Sequence, residues 1–206
     1  LEVLEQIGWS LRQAKEDRLV IFTERRETLQ FLALHLSRDL ALKEGQCAVL
    51  HGSLPDVRQN EIVEGFGKLQ SPTRVLLATD VASEGLNLHY LCHRLVHFDM
   101  PWSLMVFQQR NGRIDRYGQE RRPQIVYLQT DSTNDQIRGD TRILTVLRHK
   151  AEQAQTNIGD PSVFMGVYDV EKEEELTQLA VQSGESAESF DKRLDRNLAD
   201  PFARLL

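Results

Sequence analysis

The chain holds only two cysteines in 206 residues, Cys47 and Cys92. Both lie in apolar stretches and form no CxxC pair. Buried free thiols are therefore expected, rather than a metal site or a disulfide, and a reducing compartment fits them. No apolar run approaches the ~18 residues that suggest a membrane span, so no membrane partner is expected. A secretory leader is missing too, and a chain that opens on Leu1 is expected to continue an upstream part. There is no repeat of useful period. Positive charge is not in excess: 25 Lys and Arg face 31 Asp and Glu, for a net charge of −6. That excludes a chain basic throughout, so any contact with nucleic acid must come from a local patch. Two further absences matter. No GxxxxGK[ST] run supplies the loop and lysine that hold β- and γ-phosphates. Nor does any strand end carry an acidic pair of the DE type, suited to holding magnesium and orienting water.

What is present is ordinary for a globular chain, 40% hydrophobic and 27% charged. Its length suffices for one well-buried domain plus an extension. Strands and helices alternate along the first 130 residues. "RLVIFT" (18–23), "CAVLHG" (47–52), "RVLLATD" (74–80), "HRLVHFD" (93–99) and "QIVYLQT" (124–130) are short apolar runs expected as strands. "ETLQFLALHLSRDLAL" (27–42) carries Leu29, Leu32, Ala33, Leu36 and Leu40 at helical spacing. "SLPDVRQNEIVEGF" (53–66) is expected as a helix capped by Ser53 or Asp56, with Pro55 in its first turn. "SLMVFQQRNGRIDR" (103–116) is expected to be helical throughout. The fold class is α/β, a parallel sheet with helices on both faces and a helical C-terminal extension. Such sheets bind ligands beyond the carboxyl ends of their strands.

The pattern changes near Asp131. Residues 134–158 are expected as a long amphipathic helix, burying Ile137, Ile143, Leu144 and Leu147 and stopped by "GDP" at 159–161. An acidic start to a further helix follows Asp169. Its charge run over 169–175 is expected to be a solvated face. The last stretch, "SFDKRLDRNLADPFARLL", has apolar content for a short helix.

Three stretches fall just after strands. In "HGSLP" (51–55), Gly52 would let backbone N–H groups approach a phosphate, or else mark an ordinary turn and cap. In "ATDVASEGLNL" (78–88), small residues and Thr79 permit close contact with a nucleotide or a nucleic-acid strand, or form a tight structural loop. In "QQRNGRIDRYGQ" (108–119), Arg110, Arg113 and Arg116 recur every third residue. On a helix that spacing sets them on one face, where they repel unless relieved. Relief would come from Asp115 and solvent, or from a docked polyphosphate, which arginine grips bidentately.

In order and spacing these stretches resemble the helicase motifs of superfamily 2, in the second RecA-like lobe. "RLVIFTERRETLQFL" resembles motif IV, "LHGSLPDVRQNEIVEGF" the motif IVa region, "ATDVASEGLNLH" motif V and "QQRNGRIDRYGQ" motif VI. Gly85-Leu86-Asn87 and Arg116-Tyr117-Gly118-Gln119 are most similar to the Swi/Snf type, particularly its bacterial RapA-like branch. The resemblance covers about residues 18–130. It implies catalytic arginine fingers at Arg113 and Arg116, and nucleotide-cleft residues at Gly85, Asn87 and Gln109. It also implies nucleic-acid contacts at Gly52 and Thr79.

The implied organisation is an N-terminal helix or linker over 1–17, a RecA-like lobe over 18–130 and a helical extension over 131–206. The implied function is the C-terminal motor lobe of an ATP-dependent translocase on double-stranded DNA. ATP and Mg²⁺ would be shared with, and the metal held by, an N-terminal RecA-like lobe of the same protein. The fragment alone is then expected to be inactive, and the protein to be bacterial, cytoplasmic and nucleoid-associated. The alternatives are a strand-separating RNA or DNA helicase lobe, and a non-catalytic RecA-like binding platform.

Overall fold

"RLVIF" is apolar or β-branched from its second residue on, and such a run is stable only where both of its faces are covered. It forms β1 (Arg18–Phe22), with all five residues buried. The computed structural model describes residues 2–11, 17–80, 87–128, 141, 145–146, 170–186 and 188–193. Four more strands are described: β2 (Cys47–Leu50), β3 (Val75–Ala78), β4 (Cys92–His97) and β5 (Gln124–Tyr127). They form one sheet in the order β2-β3-β1-β4-β5, and every pairing is parallel. All five expected strands are therefore found.

Alternation along the strands sorts the core. Val20, Phe22, Leu76, Ala78 and Leu95 point to one face, where they pack with Phe66 and Ile114. Leu19, Ile21, Val75, Leu77 and Val96 point to the other, where Leu29, Leu32, Leu4, Ile7 and Trp9 cover them. The covering elements are α1 (Glu2–Gln6), α2 (Arg26–Asp39) and α3 (Asp56–Phe66).

Two helix ends depart from expectation. α2 stops three residues before Leu42, because Ala41 adopts a left-handed φ of 50° and Leu42 N–H turns back to the Ser37 carbonyl at 2.8 Å. That is a six-to-one closing bond, which satisfies a carbonyl the helix would leave open. α3 starts at Asp56 with Pro55 in the cap position and no side-chain cap bond, so neither Ser53 nor Asp56 caps it. Pro55 has no N–H to satisfy and Asp56 lies in the first turn, where its charge suits the helix dipole. The far end of α3 is held by the buried Arg18, which donates to the carbonyls of Gly65 (3.1 Å), Phe66 and Lys68.

The expected helix over 103–116 is shorter. α4 spans Leu104–Asn111, and residues 112–118 follow as turns and bends. The chain divides into two compact units, residues 1–99 with 109–128, and residues 100–108 with 129–206.

In the second unit, α5 (Val170–Gln182) is the expected helix after Asp169. Its charge run is not wholly solvated. Glu171, Lys172, Glu174 and Glu175 are exposed, but Glu173 is 1% exposed. Its carboxylate accepts from Ser103 Oγ and from Leu104 N–H (2.9 Å) at the start of α4. A carboxylate seldom goes under unless donors meet it, and the Ser103 donor is 70 residues away, beyond what a local charge pattern reveals. The expected helix over 134–158, its stop at 159–161 and the chain beyond 193 lie outside the described residues, apart from Thr141, Thr145 and the buried Val146.

Candidate functional site at the carboxyl ends of the strands

The strand register sets Leu50, Ala78, Phe22, His97 and Tyr127 in one row across the sheet. Residues just beyond that row share one end of the lobe. Gly52 follows β2 and is exposed; Thr79 follows β3 and is 7% exposed, its N–H donating to the Leu50 carbonyl at 3.0 Å. Thr23 follows β1, and its hydroxyl donates to Asp99 beyond β4. Asp99 also accepts from Glu24 N–H at 2.9 Å.

Into this row comes Arg110, from the last turn of α4. It is 1% exposed, and its Nε and Nη2 donate to the two oxygens of Asp80 at 2.6 and 2.7 Å. Its Nη1 donates to the Asp99 carbonyl at 3.1 Å and lies 3.3 Å from the Asp99 carboxylate. The guanidinium also sits over the Phe22 ring, 5.8 Å from its centroid. Burial alone would lower its pKa, but the bonds and charge of Asp80, then Asp99, hold it above the ordinary arginine range.

His97 completes the buried network. Its Nε2 is 2.8 Å from Asn111 Oδ1, its Nδ1 is 3.4 Å from Arg110 Nη1, and its ring stacks on Tyr127. Donation to the amide oxygen and acceptance from the guanidinium define a neutral imidazole. Burial, then the Arg110 charge, pushes its pKa down to about 3.

The three arginines do not form one helical face with Asp115 as their partner. Arg110 is paired inside, whereas Arg113 and Arg116 lie past the helix end in the turns. There the backbone tightens: Arg113 N–H donates to the Arg110 carbonyl at 3.1 Å, and Ile114 N–H to Asn111 at 3.1 Å. Ile114 then inserts fully into the core. Gly118 turns the chain with φ 93°, which a side chain rarely adopts. Gln119 fastens the far end, its amide N–H groups reaching the carbonyls of Cys92 and Ile114, both at 3.0 Å.

This loop meets the segment after β3. Leu88 N–H donates to the Arg113 carbonyl at 3.1 Å, and the exposed Arg116 donates to Asn87 Oδ1. The structure thus brings Asn87, Arg113 and Arg116 together. Gln109 is exposed on the last turn of α4, Gly52 and Thr79 lie at the same strand ends, and Gly85 lies outside the described residues. Asp99, His97 and Asn111 were not foreseen, nor was Asp80 as a partner for Arg110. Two aspartates placed just past β3 and β4 were the available signal. Among the described residues, no group of three or more His, Cys, Asp and Glu could hold a metal ion. No helix among them is long and apolar enough to cross a membrane.

A parallel sheet flanked by helices, with polar loops gathered beyond its strand ends, defines a RecA-like lobe. The chain belongs to the helicase conserved C-terminal domain family, whose model matches residues 1–118. Its relatives bear out the superfamily 2 assignment and the RapA-like, Swi/Snf-type likeness. It is 32% identical over 147 residues to the uncharacterized ATP-dependent helicase YqhH of Bacillus subtilis, which covers 70% of this chain and 24% of that protein. It is 30% identical over 154 residues to the RNA polymerase-associated protein RapA of Yersinia enterocolitica, covering 73% of this chain and 15% of that one. The chain therefore spans less than a quarter of either relative. The C-terminal part of the Fun30 ATPase domain matches its fold with a TM-score of 0.56 at 17% identity, covering 88% of this chain and 53% of that one.

Proposed function

We propose that this chain is the C-terminal motor lobe of an ATP-dependent translocase acting on double-stranded DNA in the bacterial cytoplasm, associated with the nucleoid. One observation carries the reading. Arg116 is exposed and, among the described residues, oriented by the neutral amide of Asn87 rather than by a carboxylate, in a loop it shares with Arg113. An amide fixes the direction of a guanidinium without cancelling its charge, so the cation stays available to an anion. Holding donors ready where negative charge develops is the most effective electrostatic aid to phosphoryl transfer. The Asp80 and Asp99 pairing of Arg110 supports the same division of labour, since that guanidinium is spent internally.

ATP, when bound, supplies the phosphoryl group to be transferred. On this reading Arg113 and Arg116 present charge toward it, while Asn87, Gly85 and Gln109 line the nucleotide side of the cleft. Mg²⁺ is assigned to the N-terminal RecA-like lobe of the same protein, which also brings the phosphate-binding loop. Gly52 and Thr79 are assigned to the nucleic-acid backbone, where contacts position the protein without reading sequence. This chain by itself is accordingly inactive.

The test is ATP hydrolysis by the full-length protein with duplex DNA, single-stranded DNA and RNA in parallel. Arg113→Ala and Arg116→Ala should each cut turnover by at least ~100-fold, by analogy with arginine fingers in other nucleotide hydrolases. ATP affinity should fall much less. Hydrolysis at near wild-type rate in both variants would refute the motor reading. Stimulation by single-stranded substrate alone would favour a strand-separating helicase.

A further inference from the structure

We propose that a cavity at the amino ends of β4 and β5 is a binding site for a phosphate group, built by His89, His93 and Arg121. It does not depend on the proposed function, which concerns the carboxyl ends of the strands.

Residues 89–93 lead into β4, and residues 119–121 lead toward β5. Between them lies a partly open cavity of about 140 Å³, lined by both histidines and by Arg121. An apolar cavity of ~150 Å³ can hold benzene, and a phosphate group is no bulkier than that ring. Size alone would suit many ligands, and the basic side chains narrow the choice. His89 is 7% exposed and His93 8% exposed. His89 Nδ1 is fully enclosed and has no hydrogen-bond partner among the described residues. His93 Nδ1 lies 3.9 Å from the Asp17 carboxylate, too far for a hydrogen bond, and Arg94 already engages that carboxylate. Arg121 donates its backbone N–H to Gln119 Oε1 at 3.0 Å, but its guanidinium has no acceptor among the described residues. Buried polar groups are almost always hydrogen-bonded. Two buried imidazoles without such bonds, beside a free guanidinium, call for an acceptor.

Electrostatics select an anion. Burial, then the Arg116 charge, holds His89 below the ordinary histidine range. Burial and then Arg94 do the same to His93, with Arg121 adding to the effect and Asp17 only partly offsetting it. Both rings are therefore neutral at pH 7, and a neutral imidazole still donates one N–H. Arg121 brings a planar fork that matches phosphate oxygens. Glu120, which is exposed, is the one carboxylate of the lining. A metal cation fits poorly: no group of three His, Cys, Asp and Glu among the described residues could hold one. Cys92, also in the lining, has its thiol pushed up to about 12 and offers no thiolate. An apolar ligand would leave the donors unpaired.

Inorganic phosphate titrated into this chain is the direct test, since the chain carries no GxxxxGK[ST] loop to compete for it. Calorimetry gives the affinity, and imidazole NMR signals locate the ion. The His89 and His93 signals should shift together as the site saturates. Arg121→Ala, at an exposed position, should weaken binding about 10-fold, the worth of one charge-assisted hydrogen bond. Arg122→Ala removes an equal charge next door but outside the lining, and at physiological salt it should leave the affinity at the wild-type level. Glu120→Gln should tighten binding, since it removes the opposing charge. Equal weakening by Arg121→Ala and Arg122→Ala would mark diffuse surface charge and overturn the proposal. So would an absence of saturable binding, or binding that shifts neither histidine signal. A short oligonucleotide with and without a terminal phosphate identifies the source. Preference for the phosphorylated form over the free ion assigns a nucleic-acid end, and weaker binding of both oligonucleotides assigns the free ion.

Discussion

Glu173 offers the sharpest test of how a buried carboxylate is tolerated here. Its side chain is 1% exposed and receives the Ser103 hydroxyl and the Leu104 N–H at the first turn of α4. Ser103 in turn accepts from Val106 N–H at 3.2 Å. Burial pushes the Glu173 pKa up, and the bonds from Ser103, Leu104 and Met105 only partly restore it. A raised folded pKa means that the folded state holds the proton more tightly than the unfolded state. The unfolded carboxyl titrates near ~4.3. Stability from this group is therefore complete below that value and is lost as pH rises through the folded pKa.

Glu173→Gln should consequently be as stable as wild type or more so at pH 7, and should lose that advantage at pH 4. Glutamine keeps an oxygen for Leu104 N–H, and its amide can donate to Ser103 once that hydroxyl rotates. Glu173→Ala should behave differently, since it leaves a buried N–H and a buried hydroxyl without their acceptor, at about 1–3 kcal/mol for such a loss. Urea denaturation at both pH values gives the stabilities, and hydrogen exchange at Leu104 locates the change. If Glu173→Gln is less stable than wild type at pH 7 by as much as Glu173→Ala, the charge itself stabilises the helix start and the desolvation argument is wrong.

Two further outcomes follow from other buried groups. His97, with its pKa pushed down to about 3, should show no imidazole titration by NMR between pH 8 and 4. The unfolded imidazole gains its proton near ~6.5, so this group's share of stability is complete above that pH and is lost on acidification toward pH 3. A His97 titration near its ordinary value would refute the Arg110 contact. The Cys92 thiol, pushed up to about 12 by burial, should resist iodoacetamide at pH 8 in the native chain, whereas the half-buried Cys47 reacts first. Peptide mapping after labelling distinguishes them, and equal labelling of both would contradict the packing around Cys92.

Most of the sheet was legible because a buried parallel strand imposes a local demand. Every residue of "RLVIF" is enclosed, so composition alone marks it. Helix ends were legible only where the stopping force is local. α4 ends at Asn111, where Gly112 follows and the core takes Ile114, although the apolar and arginine spacing continues to Arg116. Glu173 looked like one more charge in a solvated run because its donors lie 70 residues back.

The arginine row joins both cases. Its period of three is a local fact and invites a helical reading, yet the turns after Asn111 send the three side chains to different places. Arg110 goes into a pocket of two carboxylates, Arg113 sits in the turns, and Arg116 is held at the surface by an amide. Repulsion between like charges, which the bare spacing implied, is removed by ending the helix and burying one member with its counter-ions. That solution leaves Arg110 held inside by its carboxylates and Arg116 at the surface beside Asn87. Spacing along a helix says which side chains can be neighbours, and only long-range partners decide whether they are.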